Sequence, residues 1–145
     1  MSTSPAPEPT GGRRPSRREA RERALGLLYE AETKSLDPAA VLAELPVPPD
    51  PYAEDLVRGV GAHHADIDAV IRRFAHRWEL ERMPAVDRAL LRLAVYELGH
   101  RRDVPRNATI NEAVELAKQY STEESGRFVN GMLSRIADEL RGEAT

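Results

Sequence analysis

The chain of 145 residues lacks cysteine, contains one tryptophan and two phenylalanines, and has no long apolar run. The absence of cysteine excludes disulfides, thiolate zinc sites and cysteine nucleophiles. No apolar segment approaches the ~20 residues that span a bilayer. No apolar core follows the charged N-terminus as it does in a secretory signal. We therefore expect a soluble cytoplasmic protein that makes no membrane contact.

The residue groupings of an active site are also missing. The sequence contains no glycine-rich phosphate loop and no nucleophile paired with a base. His63 and His64 are adjacent, so on a helix they point about 100° apart and cannot share a metal ion as an i, i+4 pair does. These absences predict that the protein is not an enzyme and needs no cofactor or metal.

Basic side chains are concentrated near the N-terminus. The net charge is −3, but residues 1–23 carry six arginines against three glutamates, which gives +3 there and −6 on the rest of the chain. A basic arm on an acidic body predicts a local contact with a polyanion rather than nonspecific adhesion.

Composition divides the chain into two parts. Residues 1–15 are rich in proline, serine, threonine and glycine, which predicts a disordered basic tail. Residues 16–142 show helical periodicity and fit one domain. The periodicity predicts helices over about 15–33, 37–45, 52–78 and 84–98, and no β-strand alternation is present. The fold class is therefore predicted as all-α.

Two further helices are predicted near the C-terminus, each from a start signal of the form S/T-x-x-E. Thr109 with Glu112 fits a capping box, and Ser121 with Glu124 repeats the pattern. In the last helix the apolar residues recur at the helical period. They are Phe128, Val129, Met132, Leu133, Ile136, Ala137 and Leu140.

Three segments of the chain carry a family resemblance. They read RREARERALGLLYE over 17–30, MPAVDRALLRLAVYEL over 83–98 and DVPRNATINEAVELAKQYSTEESGRFVNGML over 103–133. Together they resemble the NusB family of bacterial transcription antitermination factors. The resemblance implies two three-helix bundles packed across each other, with about seven helices. It also implies binding of boxA-type single-stranded RNA from ribosomal RNA leaders, together with the ribosomal protein NusE, in a complex on RNA polymerase.

A set of arginines near the N-terminus is spaced by three and four residues, so on a helix they form one stripe. Such a stripe gains nothing for folding because like charges repel. With the resemblance, it is interpreted as an arm that follows the phosphates of RNA. The alternative is a solvated face paired with Glu19 and Glu22. The stripe consists of Arg14, Arg17, Arg18 and Arg21.

Two aromatic residues, Tyr120 and Phe128, bracket the junction of the last two helices. Unpaired RNA bases are usually read by stacking on aromatic or arginine planes. We predict RNA contact for both rings, with Phe128 at the exposed edge of its stripe; the alternative is that both complete the core. Polar residues around them complete the predicted RNA-binding set. These are Lys118, Glu124, Arg127 and Asn130.

The face for NusE is predicted on the central helix. Its residues are Asp87, Arg92, Tyr96 and Glu97. Two other functions stay open at this point. One is a homodimer that seals its RNA face, and the other is the accessory domain of an RNA cytosine methyltransferase, which would need a cofactor-binding α/β domain to follow.

Overall fold

The computed structural model describes residues 15–75 and 79–142, so most of the predicted tail, including Arg14, lies outside the described residues. Within those ranges the chain forms seven α-helices and a 3₁₀ turn, Leu80–Arg82, with no β-strand, which confirms the all-α prediction. None of these helices is both long enough and apolar enough to span a bilayer. The helices are α1 (Arg17–Thr33), α2 (Pro38–Glu44), α3 (Pro51–Ala62), α4 (His64–Ala75), α5 (Ala85–His100), α6 (Arg106–Tyr120) and α7 (Glu123–Arg141).

The helices pack as two groups around α5. Helices α1, α2 and α3 contact one another, α4 to α7 form the second group, and α5 contacts members of both. Leu90, Leu93 and Leu98 of α5 are at most 1% exposed. Burial of each such side chain contributes about 1.5–3 kcal/mol. The apolar residues on several faces of α5 therefore make it the centre of the fold.

Helix α1 begins with a capping box that the sequence analysis did not identify. The amide of Glu19 donates to Ser16 Oγ at 3.0 Å, and the Ser16 amide donates to Glu19 Oε1 at 2.8 Å. These two bonds satisfy amide groups that have no partner inside the helix. They fix the first turn, which carries Arg17 and Arg18.

The single helix predicted over 52–78 is wrong, because α3 and α4 are separate and meet at His63. Helix α3 packs on the first group of helices, whereas α4 packs on α5 and α7. The break at His63 lets the two segments pack on different partners. The apolar period continues across the break, from Val60 to Ile67, so it gives no sign of the change in direction.

Both predicted start signals near the C-terminus are displaced. Helix α6 begins at Arg106 after Pro105, one turn before Thr109, whose side chain is buried within the helix. Glu112 therefore cannot cap Thr109 and instead binds Arg18. At α7 the N-cap is Thr122, whose hydroxyl accepts from the amide of Ser125 at 2.9 Å. Extended backbone before each helix, at Pro105 and at Thr122, sets these starts.

A buried ionic network joins three helices. Arg21 of α1 donates from Nε to Glu97 Oε1 and from Nη2 to Glu97 Oε2, both at 2.9 Å. Tyr52 of α3 donates its hydroxyl to the same carboxylate. Arg21 is 3% exposed and Glu97 is fully buried in α5. The network therefore fixes the relative positions of α1, α3 and α5.

Replacement of the buried carboxylate should be strongly destabilising. Glu97→Gln leaves the Arg21 guanidinium buried without a counter-charge, so we expect the free energy of unfolding to fall by about 3–5 kcal/mol. Glu54→Gln is the matched control, because Glu54 pairs with Arg58 on the surface of α3 and such pairs contribute about 0.3–0.5 kcal/mol. Urea denaturation measures both. Equal losses in the two variants would contradict the importance of the buried network.

Two glycines should respond oppositely to alanine. An added Cβ at Gly59 would lie 2.1 Å from Tyr96 Cζ, whereas nothing lies within 4 Å of the corresponding position at Gly26. Gly59→Ala should therefore cost about 1–3 kcal/mol through overpacking. Gly26→Ala, inside α1, should stabilise by about 0.5–1 kcal/mol through helix propensity. Thermal and urea unfolding test the pair; a stabilised Gly59→Ala protein would show that α3 and α5 are not in close contact.

Candidate nucleic-acid interface

The junction of α6 and α7 is held against the first turn of α5. Ser125 donates its hydroxyl to Asp87 Oδ2 at 2.8 Å, and Ser121 and Ser125 hydroxyl oxygens are 2.9 Å apart. Asp87 is fully buried, so water does not compete for this bond. The residues that the junction exposes are therefore displayed from a fixed position.

The junction displays five of the residues that the sequence predicts to bind RNA. Those on α7 recur every three residues and so lie on neighbouring positions of one helical face. All five are exposed: Lys118, Tyr120, Glu124, Arg127 and Asn130.

Gly126 explains how Lys118 lies across the junction. An added Cβ at Gly126 would be 2.8 Å from Lys118 Cγ, so the aliphatic stem of the lysine occupies the space that a side chain would need. The ammonium group is 3.7 Å from the carboxylate of Glu115 and remains partly exposed. A cation is thereby placed beside the exposed face of α7.

The exposed aromatic ring of this surface is Tyr120 rather than Phe128. Tyr120 is 48% exposed, whereas Phe128 is half-buried and packs against the core. The Tyr120 hydroxyl donates to Glu22 of α1, and this bond raises the pKa of Tyr120 above its ordinary value. The phenol therefore stays neutral and protonated. The prediction of an exposed ring at Phe128 is corrected, because neighbouring core residues cover part of the ring.

The described arginines of α1 do not form the predicted stripe. Arg21 is buried against Glu97, so it cannot reach RNA. Arg18 extends towards α6, where its Nε lies 2.8 Å from Glu112 Oε1 while the side chain remains 51% exposed. Arg17 extends towards α3, with its guanidinium carbon 3.9 Å from the centroid of the Tyr52 ring. The three described arginines therefore contact three different helices, and Arg14 lies outside the described residues.

The residues predicted to face NusE lie inside the fold. Asp87 and Glu97 are fully buried, and Tyr96 is 6% exposed. Tyr96 donates its hydroxyl to Asp55. Burial, and to a lesser extent this bond, raises the pKa of Tyr96 to about 12. The guanidinium of Arg92 is also largely buried. It binds Asp68 and Glu32. These side chains hold helices together, so the prediction that they form a docking face is wrong.

An apolar cleft that the sequence analysis missed lies between α1, α5 and the end of α6. Its volume is about 280 Å³, and Tyr29, Val86 and Tyr120 line it with Leu25 and Glu22. Tyr29 is 42% exposed. We call this surface the tyrosine cleft. Its lining residues are far apart in sequence, and the helical period of α1 by itself does not distinguish Tyr29 from its neighbours. Exposed aromatic groups at a cleft are typical of a contact surface.

The described residues offer no metal site. No group of three or more histidine, aspartate or glutamate side chains in 15–75 and 79–142 could hold a metal ion. The chemistry that these surfaces present is stacking, hydrogen bonding and charge.

Comparisons with known proteins agree with this architecture. A family model described as the NusB family matches residues 18–138. Transcription antitermination protein NusB of Kineococcus radiotolerans is 47% identical over 127 residues, which covers 85% of this chain and 93% of that protein. The protein of the same name from Myxococcus xanthus is 46% identical, with 84% and 94% covered.

Solved structures give the same result. The T. maritima NusB structure has a TM-score of 0.78 and 39% identity, and the match covers 87% of this chain and 93% of that one. A structure of antitermination factors NusB and NusE in complex with dsRNA has a TM-score of 0.73 and 30% identity, with 85% and 96% covered. The fold, the matching family model and the similarity to these relatives together show that the chain belongs to the NusB family.

Proposed function

We propose that this chain is a cytoplasmic transcription antitermination factor without catalytic activity. It binds boxA-type single-stranded RNA from ribosomal RNA leaders, together with NusE, in a complex on RNA polymerase. Its relatives are named as antitermination proteins, and one similar structure contains NusB and NusE with dsRNA, which supports RNA binding together with NusE. The observation that carries the proposal is the fixed α6–α7 junction, whose two helices expose an aromatic ring, two cations and an amide.

At the junction an unpaired base stacks on Tyr120, and Lys118 and Arg127 contact the adjoining phosphates. Asn130 both donates and accepts, so its amide can bind the edge of a base. Glu124 repels phosphate and accepts from a base amino group instead. Phe128 contributes the part of its ring that the core leaves exposed.

The first turn of α1 extends this surface. Arg18 is exposed and bound to Glu112, and solvent-exposed ion pairs of this kind exchange readily with other partners. A phosphate can therefore replace Glu112. Arg17 lies one residue earlier, and Arg14 belongs to the same proposed set. With Lys118 and Arg127, about four to five neutralised phosphates would give a salt slope near −3 for single-stranded RNA.

The tyrosine cleft is the proposed docking surface for NusE. It exposes the ring of Tyr29 and lies beside the RNA surface, because Tyr120 and Glu22 border both. Partners that share a boundary can each strengthen the binding of the other, and this coupling is reciprocal. A second copy of the chain in the cleft would instead cover Tyr120 and give the RNA-sealed homodimer.

The RNA surface can be tested with two variants and a control. Tyr120→Ala should weaken binding of labelled boxA RNA about 5- to 150-fold, the range for loss of one stacked base. Arg127→Ala should reduce the magnitude of the salt slope by about 0.7. Arg58→Ala removes another exposed arginine, from α3, and should change neither. Fluorescence anisotropy provides the measurement.

Unchanged affinity in both Tyr120→Ala and Arg127→Ala, with thermal stability retained, would exclude the α6–α7 junction as the RNA contact. A duplex of the same sequence is the second probe. Equal affinity for duplex and single strand would contradict base stacking as the mode of recognition.

The NusE surface is tested separately with Tyr29→Ala. Truncation of a tyrosine that anchors an interface commonly weakens binding about tenfold or more. We expect that loss for purified NusE, whereas affinity for RNA alone should stay unchanged. Val47→Ala is the control, because Val47 is 70% exposed but lies outside the cleft. Analytical ultracentrifugation checks the alternative: a dimer that Tyr29→Ala converts to monomer would place a second copy in the cleft.

A further inference from the structure

We propose that a groove beside the start of α1 binds one unpaired nucleobase of the RNA that flanks boxA. This proposal rests on the RNA-binding function above and adds a second contact site. The groove, called the proline groove here, has a volume of about 600 Å³. Its principal walls are Pro15, Arg17, Pro48, Pro49, Tyr52 and Arg101.

The size and walls of the proline groove suit a flat heterocycle. Small-molecule pockets typically enclose about 300–1,000 Å³, so one nucleotide fits. The pyrrolidine rings of the prolines supply apolar surfaces. The guanidinium groups of the two arginines provide planes on which a base can stack.

Arg17 supplies a positive charge to the groove and attracts the carboxylate of Asp103 only from a distance. Among the described residues no carboxylate lies within ion-pair distance of it, and its guanidinium stacks on Tyr52 at 3.9 Å. The N–H groups of Arg17 therefore remain able to donate to phosphate. Arg101 lies 4.5 Å from the same ring, but Asp55 and Asp103 already neutralise it. Arg101 serves as a flat wall rather than as a phosphate contact.

Tyr52 is the positioning residue of the groove. Its hydroxyl donates to the buried Glu97. The pKa of Tyr52 is raised above its ordinary value, mainly by burial and also by this bond. The phenol therefore remains a donor and its ring cannot rotate away. Because the ring is fixed from inside the fold, Arg17 stacks at a defined position on the surface.

Asp50 adds a preference among bases. Its Oδ2 accepts from the amides of Tyr52 and Ala53 at the start of α3, which holds the carboxylate at the edge of the groove. A carboxylate accepts only, so it favours a base with an exocyclic amino group. Guanine, adenine and cytosine carry one, and uracil does not.

The position of the groove connects it with the RNA surface. Arg18 extends to α6 and Arg17 extends to α3 from the same turn of α1. An RNA strand that leaves the α6–α7 junction and passes Arg18 next meets Arg17, the adjacent residue of α1. The groove, which Arg17 and Tyr52 line, is thus a continuation of the proposed RNA path towards α3.

Two single-charge variants of neighbouring residues test the groove. Pro48→Glu places a carboxylate in the groove wall, whereas Val47→Glu adds the same charge at an exposed residue that does not line it. Two RNAs are compared: boxA alone, and boxA extended by about five nucleotides at each end. We expect Pro48→Glu to weaken binding of the extended RNA about 5- to 150-fold, the value of one stacked base. Val47→Glu should bind both RNAs as the unmodified chain does, and the loss in Pro48→Glu should be larger for the extended RNA than for boxA alone, where only the phosphate contact of Arg17 is affected.

The nucleotide itself is identified by abasic substitution along the extensions. One position should show the loss, and uracil there should bind more weakly than guanine, adenine or cytosine. The groove proposal would be overturned if no abasic position weakened binding, or if Pro48→Glu and Val47→Glu lost affinity equally. In that case, RNA binding that still depends on Tyr120 would leave the proposed function intact. Failure of the unmodified chain to bind either RNA would overturn both.

Discussion

The ion pair between Arg21 and Glu97 is the constraint on which the geometry of the surface depends. Both groups are buried, so each needs the other to offset its lost hydration. A pair of this kind contributes little net stability, but it is satisfied in only one arrangement of α1, α3 and α5. Tyr52 joins the same carboxylate and in turn holds Arg17. An interaction in the interior therefore determines where a cation lies on the outside.

A second buried carboxylate plays the same part at the other end of α5. Asp87, in its first turn, accepts from Ser125 and so holds the α6–α7 junction, whereas Glu97, three turns later, holds α1 and α3. The α6–α7 junction and the proline groove are thus both held in place by side chains of one buried helix, α5. Precise placement of binding groups requires such support from rigid elements. The two carboxylates that the sequence suggested as partner contacts are instead the internal supports of the binding surface.

The sequence predicted what depends on local pattern and missed what depends on neighbours. Helical periodicity was sufficient for the all-α class and for the central position of α5. The same periodicity placed Arg17, Arg18 and Arg21 on one side of α1, yet that side spans about 100° and faces three different helices. Which arginine becomes buried depends on where Glu97 lies, 76 residues later than Arg21. The exposed Tyr120 and the half-buried Phe128 were ranked in the wrong order for the same reason.

Acidic side chains next to the proposed RNA contacts set a limit on electrostatic affinity. Arg18 is bound to Glu112, Lys118 lies near Glu115, and Tyr120 is bound to Glu22. A phosphate must displace a carboxylate to reach either cation, and the chain as a whole is negative. Nonspecific binding of RNA is weakened by this competition, whereas base stacking is not. Recognition then depends on unpaired bases and on a partner that shares the Tyr120 boundary, because reciprocal coupling can restore the affinity that the acidic groups remove.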